Sequence, residues 1–334
     1  MRRAGWSRTG TVRALAVLAL GVAAVALPLP AGAGPALDPA TGRGSDGSVF
    51  PPVVHRHPHG AGSQVHDLTH SIAPQPGSGR PADGVRWTLR ASAVSHTLTT
   101  AAGIIGPDER AQVGDAAAVP YRAVVSLVYR GERQCTGWMI GPDTAVTAGH
   151  CVHGGGSDGQ FLEAAEFAVV PGDNGTGRQP YGSCRARRLY TTEGWITRRS
   201  EEHDYGALKL DCRIGETVGW FGTLVSDVDP NGWPTTVSGY PVDKPAGTMW
   251  RSADQVRGSE PRLLYYANDT KSGHSGSPVW QQRPEGSASC VGNCVLAVHT
   301  QAFHSRKGLH RRYNHGVRLT GEVVDNLVAW RNNR

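Results

Sequence analysis

Hydrophobic and polar positions change character three times along the chain. Residues 14–27 form an apolar run (Leu15, Val17, Leu18, Leu20, Val22, Val25) behind Arg2, Arg3, Arg8 and Arg13, and Pro28 and Pro30 end it. Residues 34 to about 102 are rich in Gly, Pro, Ser and Ala and poor in large apolar side chains. From about Ile104, short apolar runs recur at 124–129, 138–140, 167–170, 207–210, 235–240, 263–266 and 295–300, separated by clusters of Gly, Pro, Asn and Asp. Runs of strand length bounded by turn formers predict an all-β sandwich or barrel. At the end the period becomes helical: Val323, Val324, Leu327 and Val328 follow Thr320, a candidate N-cap. That spacing predicts one amphipathic α-helix docked on the β body.

The first apolar run is short for a bilayer span, and Ala31-Gly32-Ala33 after it offers small residues for cleavage. A basic start, an apolar centre and small residues predict a secretory signal peptide over 1–33, hence a secreted, extracellular protein. Residues 34–102 read as a poorly ordered pro-segment, because so little apolar surface cannot offset the chain entropy lost on ordering. Its histidines (His55, His57, His59, His66 and His70) could bind metal by composition; a polar, loosely ordered segment is the plainer reading. Residues 103–334 are the expected folded domain. Nothing later in the chain is apolar enough to cross a membrane, so no membrane partner is expected.

Composition adds two constraints. The 44 glycines and 22 prolines favour turns and short strands over long helices. The formal charge of +6 raises the question of nucleic acid. No basic run is interleaved with aromatics, so no nucleic-acid partner is expected and a solvated basic surface is the reading, with an acidic substrate or wall polymer as the alternative. Six cysteines in an exported chain predict disulfides. Fifteen pairings exist; order along the chain suggests Cys135 with Cys151, Cys184 with Cys212, and Cys290 with Cys294. Zinc is the competing reading for Cys290 and Cys294, weakened because no second close Cys/His pair joins them. No metal and no cofactor are expected.

Acyl transfer at a peptide bond needs a nucleophile, a base, a group that orients the base, and donors for the oxyanion. Three segments offer these parts. In Thr147-Ala148-Gly149-His150-Cys151 a histidine adjoins a cysteine, so a disulfide could pin the imidazole. In Glu202-His203-Asp204-Tyr205-Gly206-Ala207-Leu208 an acid leads into an apolar strand, where an unpaired carboxylate would be costly. In Gly273-His274-Ser275-Gly276-Ser277-Pro278, glycines let the backbone turn sharply and expose the Ser275 hydroxyl, while the Gly273 and Ser275 amides converge as an oxyanion hole. Singly, each has a bland reading: a loop histidine, a strand-opening turn acid, a chance Gly-rich turn. The order His, Asp, Ser is more specific than any one of them, and it is the chymotrypsin-like order.

With these residues, and with Cys135-Thr136-Gly137, Gly239-Tyr240-Pro241 and Asn314-His315-Gly316-Val317-Arg318, the stretch from about 103 to 334 resembles a trypsin-like serine protease. Within that group it is most similar to the secreted bacterial glutamyl endopeptidases. The resemblance implies two antiparallel six-stranded β-barrels of chymotrypsin-like fold and a catalytic triad of His150, Asp204 and Ser275. It also implies a protein or peptide substrate and a monomer. A catalytically silent binding protein on the same scaffold, and an esterase, are the rival classes.

The resemblance also implies how specificity would be set. A substrate carboxylate would be held by His299 and by Thr270, five residues before Ser275, with help from a free mature N-terminus. The run Gly103-Ile104-Ile105-Gly106 is similar to the family's mature start. Two residues pull against cleavage after Glu or Asp. Asp269, at a pocket floor, would select Arg or Lys instead, and His274 stands where an amide is usual. Asn174-Gly175-Thr176 and Asn268-Asp269-Thr270 match glycosylation sequons and read as chance. His304, His310 and His315, near Arg311 and Arg312, read as a solvated loop, and Trp220, Trp233, Trp250, Trp280 and Trp330 as packing residues.

Overall fold

A computed structural model of the chain describes residues 38–52, 71–79, 103–175, 179–303 and 308–333. The predicted strands close into two antiparallel barrels. In the first, Val124–Tyr129 pairs with Glu132–Gly141, which pairs with Thr144–Thr147, then Gly206–Leu210, then Cys184–Thr192, then Phe167–Pro171, which returns to Val124–Tyr129. In the second, the ring runs Pro234–Gly239, Trp250–Ser259, Leu263–Tyr266, Asn314–Arg318, Gly292–Gln301 and Pro278–Arg283, and closes on Pro234–Gly239. The two six-stranded rings are the chymotrypsin-like fold expected from the motifs. Closure removes the exposed strand edges that an open sheet would present.

Local chemistry explains the turns. Tyr129 pairs with Glu132 across Arg130 and Gly131, both at positive φ (51° and 86°). Two consecutive left-handed residues are what a two-residue hairpin demands, because their twist matches that of the strands. The core is continuous between the barrels: Trp138 and Phe221 meet edge to face at 6.0 Å, and Phe221 meets Trp280 at 5.8 Å. The C-terminal helix spans Gly321–Asn332, and the Thr320 hydroxyl accepts from the Val323 amide at 3.3 Å, the predicted cap. It buries Val323, Val324, Leu327 and Trp330, with Trp330 stacked on Tyr190. All three suggested disulfides are formed, so Cys290 and Cys294 are bonded to each other rather than to zinc.

Part of the expected pro-segment is docked on this body. Gly42–Gly44 adds antiparallel to Tyr190, Thr191 and Thr192 at the end of a barrel strand, and Val49–Phe50 pairs back onto it. Asn326 of the terminal helix donates to Ala40 O at 2.7 Å. Further on, Ile72 is buried, Thr223 N donates to its carbonyl, and Gln75 and Trp220 exchange backbone hydrogen bonds at 2.9 and 2.8 Å. Sequence composition understates this order because main-chain pairing adds to a few apolar contacts, those of Ile72 in the core and Phe50 against Tyr190. The expected signal peptide, residues 1–33, and the histidines at 55, 57, 59, 66 and 70 lie outside the described residues.

The docked strand has little room for a side chain. A Cβ at Gly42 would sit 2.7 Å from Trp330 Nε1 and 3.0 Å from Asn326 Oδ1. Gly42→Val is expected to destabilise the full-length chain by about 1–3 kcal/mol, the usual cost of overpacking. Thermal unfolding checks this, and an unchanged midpoint would mean that the strand does not rest on the helix.

Candidate active site

His150 sits in a short 3₁₀ turn, Gly149–Cys151, directly beyond the strand Thr144–Thr147, and the Cys135–Cys151 disulfide ties this turn to the neighbouring strand. Asp204 follows the 3₁₀ turn Glu201–His203, opens onto the strand Gly206–Leu210, and is fully buried. Both of its oxygens are engaged by one residue. Oδ1 accepts the His150 backbone N–H at 2.8 Å, and Oδ2 lies 2.8 Å from His150 Nδ1. This holds the proton on Nδ1 and leaves the Nε2 lone pair open. Burial pushes the imidazole pKa down, but the charge and hydrogen bond of Asp204 outweigh it, so the net shift is upward.

Ser275 stands on a tight turn before the strand Pro278–Arg283. Gly273 and Gly276 have φ of 95° and 85°, and a Cβ would lie 2.3 Å from Tyr240 O at the first and 2.2 Å from Thr136 O at the second. Thr136, on the first barrel, holds this turn of the second: its amide donates to Ser275 O at 2.8 Å and its hydroxyl to Gly273 O at 2.7 Å. Cys151 Sγ is 3.9 Å from Ser275 O, so the His150 and Ser275 turns meet where the barrels join. The amides of His274, Gly276 and Ser277 donate to the carbonyls of Lys271, His299 and His274. Among the described residues no backbone carbonyl accepts from the amides of Gly273 and Ser275.

The candidate pocket residues flank the same turn. His299 is buried in the strand Gly292–Gln301, and its amide donates to Ser277 O at 2.9 Å. Tyr266 OH lies 2.6 Å from His299 Nδ1. Burial, with neighbouring imidazoles adding to it, pushes His299 well below the ordinary range, so the ring is neutral, while burial raises the Tyr266 phenol, which keeps its proton. A phenol that donates to Nδ1 leaves the ring proton on Nε2, where a carboxylate could accept from it. Thr270 is buried, its Oγ1 has no hydrogen-bond partner among the described residues, and its amide donates to Gly103 O at 2.8 Å.

Asp269 points elsewhere. Its Oδ1 accepts from the Ile105 amide and its Oδ2 from the Glu109 amide, both at 2.8 Å. The carboxylate therefore fastens the segment that follows Gly103. His274 is buried and neutral, its pKa pushed by burial, with Arg110 adding to it, down to about 3, and its Nδ1 lies 3.1 Å from Lys271 N and 3.2 Å from Lys271 O. Asn268 is wholly buried, its side chain bonded to Thr235, to Ser252 O and to Thr235 O, so the sequon there is closed to modification.

Tyr266 and Thr136 escaped the motif reading as functional parts: the first was one residue of an apolar strand, the second one of a short Cys-Thr-Gly signature. One expectation is corrected. His315 is not solvated; it is fully buried in the strand Asn314–Arg318 against Tyr265 and His310, while Arg311 and Arg312 face solvent, and His304 lies outside the described residues.

Comparison with known proteins agrees with this geometry. The family model described as Trypsin matches residues 111–294. A glutamyl endopeptidase of Bacillus licheniformis is 44% identical over 229 residues, covering 69% of each chain. A Bacillus subtilis protein named extracellular metalloprotease is 36% identical over 235 residues, covering 69% of this chain and 70% of its own. A solved structure of a Glu endopeptidase superposes with a TM-score of 0.59 at 26% identity, covering 69% of this chain and 100% of that one.

The His150–Asp204 contact can be tested by titration. His150 is expected to titrate above about 6.5, its ordinary value. Asp204→Asn removes the charge that raises it, so the His150 resonance should then titrate below that value. Proton NMR of the two proteins across pH 4–9 reads both; the same midpoint in each would break the assignment.

Proposed function

Because the chain belongs to the trypsin family and is a serine protease, we propose that it is a secreted endopeptidase that cleaves after Glu or Asp through an acyl-enzyme. His150 takes the Ser275 proton as the hydroxyl attacks the carbonyl. Asp204 holds the imidazole tautomer and stabilises its charged form. The Gly273 and Ser275 amides bind the tetrahedral oxyanion. His150 then protonates the leaving amine, and water repeats the sequence to release the acid. The signal peptide ends near residue 33, the pro-segment runs to about 102, and the protease domain begins near Gly103. The reaction needs no cofactor, and the enzyme acts as a monomer outside the cell.

One observation carries the specificity reading: Asp269 is already committed to two backbone amides, while His299 is neutral and oriented by Tyr266 beside the Ser275 turn. An acid with both oxygens so engaged is a poor floor for an Arg or Lys side chain. A buried imidazole N–H and the Thr270 hydroxyl, unpartnered among the described residues, suit a carboxylate, and hydrogen bonds to a charged group are the strong ones. Gly103 lies against Thr270, its carbonyl also bonded by Asn314, so a chain end created just before it would add a positive charge close to the same place. The names of the relatives point the same way.

A cleavage-site profile of the secreted enzyme on a mixed peptide library, with Ser275→Ala as control, tests the proposal. Cuts after Glu and Asp that vanish in the control are expected. Cuts after Arg or Lys would return Asp269 to the pocket floor, and no hydrolysis by the wild type would favour a silent binding protein. Tyr266→Phe tests the tautomer argument. It is expected to raise KM for a Glu substrate at least tenfold while kcat changes little, since the His299 bond to the substrate carboxylate that it orients is worth about 1.5–3 kcal/mol. Unchanged KM would remove Tyr266 from the pocket.

A further inference from the structure

Glu201, His310 and His315 come from three separate parts of the chain, and the structure gathers one ligand atom from each within 4.8 Å of the others. Glu201 opens the turn that leads to Asp204, His310 lies in the 3₁₀ turn Gly308–Arg311, and His315 sits on the wall strand Asn314–Arg318. His310 Nδ1 is 3.8 Å and His315 Nε2 is 3.7 Å from Glu201 Oε2. Those gaps are too long for direct hydrogen bonds, which fall at about 2.7–3.2 Å. They are near the separation of two ligands that each reach about 2.0–2.2 Å to a shared tetrahedral ion.

A second observation concerns the far side of His310. Its Nε2 lies 2.8 Å from Tyr265 OH. Nδ1 is the ring nitrogen on the Glu201 side. A ligating imidazole whose other nitrogen is held by an oriented partner is the usual arrangement around a metal. Glu260, Glu201 and Glu202 all bear on the Tyr265 phenol, so the local field is negative. Arg311 and Arg312 are exposed, and the site is accessible at its rim: side-chain exposure is 23% for Glu201 and 19% for His310, against none for His315.

We propose that Glu201, His310 and His315 form a binding site for a divalent first-row transition metal ion, with zinc the natural probe. Two imidazoles and a carboxylate suit such an ion better than calcium or magnesium, which prefer all-oxygen sets. The ion takes no part in peptide hydrolysis. It clamps the turn before Asp204 to the strand that pairs with the His299 strand. The other close Cys/His/Asp groupings among the described residues, at Cys135, His150 and Cys151 and at Cys184, Asp211 and Cys212, have their sulfurs in disulfides.

Isothermal titration of the secreted protein with zinc alone, beside His310→Asn and Glu201→Gln, tests the site. Each variant's metal-free melting temperature and peptidase activity serve as fold controls. The wild type is expected to bind one more zinc per chain than either variant, and to gain thermal stability that they do not. Histidines elsewhere in the chain contribute equally to all three proteins and cancel. Tyr265→Phe should weaken the extra site about tenfold or more. Equal zinc stoichiometry and affinity in the wild type and both variants would overturn the proposal.

Discussion

The buried carboxylate of Asp204 is the constraint around which the centre is arranged. A charge removed from water must be met by hydrogen bonds or it is not tolerated. Here His150 meets both oxygens, one with its backbone and one with its ring. The chain has to approach closely for this, and the flanking residues are small for that reason. A Cβ at Gly149 would fall 2.8 Å from Thr191 Oγ1 and 3.1 Å from Asp204 Oδ1; one at Gly206 would fall 2.5 Å from Tyr190 O. The glycines beside the histidine and the acid are therefore conditions for the ion pair, much as Gly273 and Gly276 are conditions for the serine turn.

The second requirement is that two barrels, each closed on itself, hold their parts of the site in register. His150 and Asp204 belong to the first barrel and Ser275 to the second. Thr136 spans the gap with three bonds, since its hydroxyl oxygen also accepts from the Tyr240 amide at 2.9 Å. The disulfide from Cys135, its chain neighbour, fixes the His150 turn to the same strand. Tyr240 OH reaches back to Val124 O at 3.3 Å, and the Trp138, Phe221 and Trp280 rings fill the space behind. A short Cys-Thr-Gly sequence thus couples both halves.

What the sequence made legible was what local spacing encodes. Alternating short runs gave the strands, a 3.6-residue period gave the terminal helix, and glycines around a serine gave the exposed turn. The order of cysteines led to all three bridges. What stayed hidden depends on pairs far apart in the chain. Asp269 is turned away by amides at 105 and 109, His299 is oriented by Tyr266, and His315 is buried against residues whose own sequence looks like a charged loop. The docked stretches around Gly42 and Ile72 were hidden for a different reason. Beyond the apolar contacts of Ile72 and Phe50, their attachment lies in backbone donors and acceptors, which every residue carries and which composition cannot display.

The histidines at the centre show how one side chain is given different chemistry by its surroundings. Burial disfavours the charged form at His150, His274 and His299 alike. Only His150 has a carboxylate against its ring, and only there is the pKa raised. His274 and His299 receive neutral partners, the Lys271 backbone and the Tyr266 phenol, and their neighbours Arg110 and the other imidazoles add to the depression. A ring that must gain and lose a proton is thus paired with a negative charge, and two that must stay neutral are denied one. Had Asp269 faced this space, its charge would have favoured protonation of the nearby rings and opposed an acidic side chain. Binding that acid to the segment after Gly103 keeps it clear of the neutral imidazoles while anchoring the start of the folded domain.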